Sequence, residues 1–341
     1  MFRQIIVPLD GSKRAERAVP VAANIARACN GTVILLHTVK PIIDYGYAPY
    51  LVRSSSLTDA MLVQDLESAK NYLYTVSHME ALAGIKTEIV AMSGIAAPII
   101  LAYARLYKTD LIVMSSHGYT GLKRWAMGSV TQKVVRHSPV PVLVLREGSP
   151  RPGELQSAEA QPLRALVALD GSELAETVLT PAVQLVSALA APGQGELHLM
   201  RIVKVPSEYD YKKAVIDILE EVQHEATNYL AAVAGRLSNG IAAEYNVKVT
   251  WSVLSSSEIA AALIEAAEFG NAEGTCQGCN LIAIATHGRG GLQRWVTGSV
   301  TERVLDGTRL PLFIVRPQQA PIVTGAGPQG EGQVVMKVGT P

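Results

Sequence analysis

Three cysteines in 341 residues, Cys29, Cys276 and Cys279, are too few and too unevenly placed to staple a secreted fold. Disulfides cannot be what holds this chain together. An excess of either charge is also missing. The 30 lysines and arginines face 30 aspartates and glutamates, and neither half carries the basic stripe that nucleic-acid binding requires. That balance argues against nucleic acid as the main partner. No apolar run approaches the roughly eighteen residues of a membrane span, so no membrane partner is expected. The opening MFRQIIVPLDGS lacks the apolar core and cleavage site of a signal peptide, and a cytoplasmic location is the expectation. The phosphate-loop pattern G-x(4)-G-K-S/T, the nucleophile elbow G-x-S-x-G and the zinc helix H-E-x-x-H are all missing. A fast dedicated enzyme is therefore not indicated.

What the chain does have is aliphatic material. Apolar residues make up 48% and charged residues 18%, which is far from disordered composition and enough for large buried cores. At roughly 150 residues per domain the length suggests about two domains, and internal repetition bears on that count directly. IIVPLDGS at Ile5–Ser12 recurs as LVALDGS at Leu166–Ser172, placing Asp10 against Asp170 at an offset of 160. SSHGYTGLKRWAMGSVTQKVV from Ser115 recurs as ATHGRGGLQRWVTGSVTERVL from Ala285, now at an offset of 170. The second copy is therefore ten residues longer, and part of the excess is the insertion FGNAEGTCQGC before Asn280. These limits give a first domain over 1–146, a Pro- and Gly-rich linker over 147–162, a second domain over 163–316 and a tail over 317–341.

Within each copy, short Val/Ile/Leu runs alternate with longer segments of helical period, the signature of βα units around a parallel sheet. In the first copy strands are predicted at Gln4–Leu9, Val33–His37, Lys86–Ala91, Leu111–Met114 and Val140–Leu145. In the second they fall at Ala165–Leu169, Glu196–Ile202, Lys248–Val253, Leu281–Ala285 and Leu310–Val315. These runs are apolar on consecutive residues, which suits strands covered by helices on both faces. Helices are expected from Ala15, at Gln64–Leu82, at Ala97–Leu106 and at Val130–Arg136, with Pro20 and Pro181 forcing the first helix of each copy to kink or start late.

In such a sheet, ligands bind beyond the carboxyl ends of the strands, where the order of connection reverses. Two repeated motifs map there. Asp10 and Asp170 follow the first strand of each copy; either can accept hydrogen bonds from a ribose or a base amine, or simply cap the next helix. The second motif starts with a small-residue loop, Ser115-Ser116-His117-Gly118 or Ala285-Thr286-His287-Gly288. It ends with Gly128-Ser129-Val130-Thr131 or Gly298-Ser299-Val300-Thr301 opening a helix, whose unpaired N–H groups and dipole favour an anion. The same residues also fit a capping box with Gln132 and Glu302, which would need no ligand.

Together, P-x-D-G-S after the opening strand, G-x-x-G-x(9)-G-S/T, and a closing V-P-V-L-V strand resemble the universal stress protein family. The resemblance covers Met1–Arg146 and Leu163–Arg316, so the chain is similar to a tandem member. It implies two open-sheet Rossmann-like domains of the adenine nucleotide alpha hydrolase type, each a five-stranded parallel sheet of order 3-2-1-4-5. It also implies a stress-response sensor that binds ATP, with ADP or AMP as other occupants and Mg2+ as an accompanying ion. Carried over by position, Pro8, Leu9, Asp10 and Thr38 meet the nucleoside in the first copy, and Gly118, Gly128, Ser129 and Val130 the phosphates. In the second copy the corresponding residues are Leu169, Asp170, Ile202, Gly288, Gly298, Ser299 and Val300. The first glycine of the motif is replaced by Ser115 and Ala285, and Pro8 becomes Ala168, so the first copy is taken as the more complete site. A family member that has lost nucleotide binding and works as a scaffold for an unknown protein partner is the alternative. Slow ATP hydrolysis stays open, although no acidic pair for a metal is evident beside the glycine loop. The resemblance further implies pairing through the closing strands, within the chain as a pseudo-dimer and between chains as a homodimer.

Other features carry less. GAGPQG at Gly325–Gly330 matches a dinucleotide fingerprint without the strand and helix it needs, and reads as tail. Cys276-Gln277-Gly278-Cys279 has thiol-pair spacing, but lacks the two further ligands of a zinc site and reads as a chance loop pair. His117 and His287 read as loop-ordering groups, Trp125 and Trp295 as packing, and Tyr45, Tyr47 and Tyr50 as a surface loop or a cover for the site.

Overall fold

The computed structural model describes residues 1–40, 55–116, 127–146, 162–206, 213–270, 274, 276–286 and 298–317. Its first half runs β1 (Gln4–Leu9), α1 (Lys13–Glu16), α2 (Ala18–Cys29), β2 (Thr32–Val39), α3 (Ser55–Ser77), β3 (Lys86–Ser93), α4 (Ala96–Leu106), β4 (Leu111–Ser115), α5 (Ser129–His137) and β5 (Val142–Leu145). The second half repeats the pattern with β6 (Arg164–Ala168), α6 (Glu173–Glu176), α7 (Leu179–Ala190), β7 (Gly195–Lys204), α8 (Lys213–Ser238), α9 (Ile241–Glu244), β8 (Val247–Ser256), α10 (Ile259–Phe269), β9 (Leu281–Ala285), α11 (Ser299–Gly307) and β10 (Leu312–Val315).

All ten strands form one sheet in the order β3-β2-β1-β4-β5-β10-β9-β6-β7-β8. Pairing within each half is parallel, so every such connection must cross over, and helices cover both faces. The halves join through one antiparallel pair, with Phe313 opposite Leu143 and Ile314 opposite Val142. Two apolar layers result, one under α2, α3, α7 and α8, the other under α4, α5, α10 and α11. Each layer contains residues of both halves, so the seam is core rather than surface.

Several boundaries depart from expectation for local reasons. The closing strands begin at Val142 and Leu312, two residues late, because Pro141 and Pro311 have no amide to donate. Their carbonyls still serve the sheet, accepting from Ile112 at 3.1 Å and from Ile282 at 3.0 Å. Pro20 and Pro181 each stand third in α2 and α7, and the chain restarts there after the four-residue α1 and α6, the late start predicted. α3 ends at Ser77 rather than Leu82. A single 3-10 turn at Glu80–Leu82 follows and tucks Leu82 into the core. Glycines precede β2 and begin β7 for a packing reason: a Cβ at Gly31 would sit 2.7 Å from the Phe2 carbonyl, and one at Gly195 would run into Val186.

Candidate functional site

The carboxyl ends of β1, β2 and β4 converge with the starts of α4 and α5 around one cavity of about 180 Å³. Pro8, Leu9 and Asp10 come from β1 and the turn after it, Leu36 and Thr38 from β2, and Met114 and Ser115 from β4. Ala96 and Ile100 of α4 and Gly128 to Thr131 close the opposite wall. The floor is apolar and the rim polar, the usual make-up of a small-molecule site. Eight of the residues named from the sequence for the first copy therefore share one concavity: Pro8, Leu9, Asp10, Thr38, Ser115, Gly128, Ser129 and Val130.

The Asp10 turn is built by its own side chain. Asp10 Oδ1 accepts from the Ser12 amide at 3.0 Å and from Ser12 Oγ at 2.6 Å, across Gly11 at φ 85°. Ser12 Oγ in turn accepts from the Ala15 amide at 3.2 Å and caps α1. The cap is thus Ser12, and Asp10 stays exposed at the rim. Asp170, Ser172 and Ala175 repeat the arrangement at 2.9, 2.6 and 3.2 Å.

The start of α5 corrects the capping-box reading. Gly128 is the N-cap and Ser129 the first helical residue, and no side chain caps that end. Gly298 and Ser299 do the same for α11. What fixes the helix starts is the preceding strand. The Gly128 amide donates to the Ser116 carbonyl at 2.8 Å and Thr131 Oγ1 to the Ser115 carbonyl at 3.1 Å. In the second half Gly298 donates to Thr286 at 3.0 Å and Thr301 to Ala285 at 3.2 Å. Ser116 and Thr286 are consequently buried staples between strand and helix, and Ser116 is not among the residues that line the cavity. Sequence reasoning passed over Thr131 and Thr301 as contributors, although their recurrence in G-S-V-T was the available signal.

Neither N-cap glycine is demanded by the backbone. Gly128 has φ −61° and Gly298 φ −58°, which any residue adopts. A Cβ at Gly298 would meet the Thr286 carbonyl at 3.6 Å, an ordinary contact. Glycine there keeps open the space in front of the helix end instead. The α4 start, with Ile95 as its N-cap, likewise has no side-chain cap.

On the other face of the sheet, behind Asp10, lies a polar cluster missed from sequence. His37 packs edge-on against Tyr72 with centroids 5.6 Å apart, and the Tyr72 hydroxyl donates to Glu16 at 3.4 Å. Burial pulls His37 below the usual imidazole range, partly offset by the Asp10 charge; burial and then Glu16 push Tyr72 up. In the second half Arg201 replaces His37 and lies 5.5 Å from the Tyr229 ring, near Glu176. The shared N-Y-L at Asn71–Leu73 and Asn228–Leu230 carried that signal.

Leu169, Asp170, Ile202, Gly298, Ser299 and Val300 stand at the ends of β6 and β7 and at the start of α11, the positions equivalent to the first site. His117, Gly118, His287, Gly288, Trp125, Trp295, Tyr45, Tyr47, Tyr50 and the glycine-rich tail motif lie outside the described residues. Among the described residues, no group of three or more His, Cys, Asp or Glu could hold a metal, and no helix is long and apolar enough to cross a membrane.

A doubly wound α/β sheet with its concavity at the reversal of strand order defines a ligand-binding class of protein rather than a particular chemistry. The family follows from comparison. The model of the universal stress protein family matches residues 1–146 and 163–316, and the chain belongs to that family, as a tandem member. A universal stress protein of Mycobacterium tuberculosis is 27% identical over 340 residues, covering 94% of this chain and 96% of the relative. A shorter one from Thermus aquaticus is 33% identical over 147 residues, 43% of this chain and all of the relative. The crystal structure of a universal stress protein from Archaeoglobus fulgidus superposes with a TM-score of 0.58 at 22% identity, covering 92% of this chain and 98% of that one. That likeness speaks to the fold.

Proposed function

We propose that the chain is a nucleotide-responsive universal stress protein whose first-half cavity binds an adenine nucleotide, ATP or its ADP and AMP products. The observation that carries this is the uncapped start of α5, held open by Gly128 in the same cavity as Asp10. Amides at a helix start present partial positive charge to a phosphate without counter-charge from a side chain. Leu36, Ile100 and Met114 offer an apolar bed for a base, and Asp10 with Thr38 offers acceptors and a donor for a ribose. Residues of the site fit nucleoside at one end and phosphate at the other. A magnesium ion would arrive on the phosphates, since no described cluster of acidic side chains waits for it.

The activity proposed is binding, with occupancy altering contacts to a protein partner. Calorimetry on the full chain with ATP, ADP, AMP and adenosine tests the reading. Saturable binding of the phosphorylated ligands is expected, and none at millimolar concentration would leave the scaffold alternative. Light scattering with and without ATP tests whether chains pair further into a homodimer.

A further inference from the structure

From spacing alone Cys276 and Cys279 read as a chance loop pair, but the fold draws them together. After α10 the chain reverses through Gly270 at φ 85°, and the Cys279 amide returns to the Ala267 carbonyl at 2.6 Å. A Cβ on Gly270 would sit 2.6 Å from the Cys276 carbonyl oxygen, and one on Gly278 3.1 Å from that of Glu268. Both glycines are needed for the loop to close this tightly on the helix. The two thiols are buried at 2% and 7% exposure and reach the same acceptor, the Gln277 carbonyl, at 3.4 and 3.6 Å. The Cys276 thiol also reaches the Ala266 carbonyl at 3.7 Å.

An arginine and a histidine lie beside the pair. Arg164 at the start of β6 holds Gln277, the residue between the motif's ends, at 3.2 Å while pairing with Glu196 at 3.0 Å. His198 on β7 faces the same pocket, its ring fixed by Thr250 at 2.8 Å and Ser252 at 2.9 Å. The Cys276 thiol is drawn down first by the hydrogen bond from Cys279, against burial, and then by His198 and Arg164. Cys279 is pushed up by that same bond and by burial. A nucleophilic thiolate beside a protonated resolving thiol is the arrangement that thiol oxidation uses. Cys29 has no partner thiol; it is buried in the other apolar layer, and burial, outweighing the nearby N-terminus and Arg3, pushes its thiol up.

We propose that Cys276 and Cys279 are a reversible dithiol redox site that takes hydroperoxides as oxidant. The Cys276 thiolate attacks the peroxide O–O bond, giving a Cys276 sulfenic acid and a hydroxide that takes up a solvent proton. The Cys279 sulfur then attacks the sulfenic sulfur. The S–S bond forms as the S–O bond breaks, and the Cys279 proton leaves with the oxygen as a second water. Two thiols lose two electrons and one hydrogen peroxide becomes two waters; a dithiol reductant reverses the step by exchange, leaving as its own disulfide. The site belongs to the second half only, in the insertion before β9, and is independent of the nucleotide reading.

The test treats the full chain with hydrogen peroxide, alkylates, and maps the peptides by mass. The expected result is a loss of about 2 Da, a cross-linked 276–279 peptide, and oxidation about tenfold faster than at Cys29, with mass restored by dithiothreitol. C279S is expected to stop at a sulfenic acid trapped by dimedone, and C276S to leave Cys279 as thiol. Oxidation of Cys29 while the 276–279 peptide stays reduced, or equal rates at all three thiols, would overturn the proposal. That comparison needs only the wild-type chain, so it holds even where a serine variant misfolds.

Discussion

Replacing Gly128 by valine separates the helix-end reading from a purely structural one. The backbone at 128 is extended, with φ −61° and ψ 149°, which suits a β-branched residue. Its amide bond to the Ser116 carbonyl, 2.8 Å long, survives the change. A melting temperature within about 2 °C of wild type is therefore expected, as for a substitution that breaks no core contact. On the proposed placement, the new isopropyl group would obstruct the approach of a phosphate oxygen to the amides of Ser129 and Val130. A charge-assisted bond of that kind is worth about 1.5–3 kcal/mol, and the helix dipole adds about 0.3–1 kcal/mol. Losing about one such bond, roughly 2 kcal/mol, weakens ATP about 30-fold. Adenosine, which lacks phosphate, should change by less than about twofold. Calorimetry of both ligands on both proteins reads the difference. Unchanged ATP affinity in a folded G128V chain, or an equal loss for adenosine, would refute the placement of phosphate at this helix.

Asp10→Asn keeps an acceptor for Ser12 and so keeps the turn, but gives up the charge; nucleotide affinity is expected to fall about tenfold with little change in melting temperature. Arg164 and Glu196 form a pair buried to 9% and 8% side-chain exposure, and removing one partner as Glu196→Gln should cost about 3–5 kcal/mol in urea unfolding at neutral pH. Burial alone would raise the Glu196 carboxyl, yet Arg164 holds it below the usual carboxylate range. Its folded value lies below its unfolded one, so the stabilisation is complete above the ordinary range and lost as pH falls through the depressed value. The variant should lack that part of the acid decline, and an identical pH profile would count against the pair. Phe313→Ala removes a fully buried ring at the β5–β10 seam, where an expected loss of about 3–5 kcal/mol should split a single unfolding transition into two. Unchanged cooperativity by calorimetry would show that the halves are joined by other means.

The inner strands were readable because burial on both faces makes them continuous apolar runs, the edge strands β3 and β8 being largely half-buried or exposed, and the repeat supplied each strand twice. Their ends were not, since Pro141 and Pro311 shift the closing strands by two residues through a missing donor that only pairing reveals. The site was legible as motifs and illegible as contacts. Asp10 and Gly128 stood out because they recur, whereas Leu36, Ala96, Ile100 and Met114 line the cavity as ordinary apolar residues of β2, α4 and β4. S-x-x-Q suggested a capping box because the pattern does not say which residue begins the helix; the Gly128 bond to Ser116 decides that, and it joins segments apart in sequence.

The two copies then diverge where the ligand argument is most sensitive. Thr38 becomes Ile202 and Ser115 becomes Ala285, so the second half lacks at the equivalent positions two hydroxyls that line the first cavity. Asp170 and the uncapped start of α11 are retained, and their hydrogen-bond distances repeat those of Asp10 and α5 within about 0.2 Å, a spread below the width of an ordinary hydrogen-bond distribution. Loss at the crevice with retention at the helix end implies that phosphate affinity should persist in the second half while nucleoside discrimination weakens. The measurable form is stoichiometry. ATP binding to G128V should leave one weak class of site with little preference among nucleobases, and complete loss of binding would mean that the hydroxyls of Thr38 and Ser115 govern affinity as much as the helix end does.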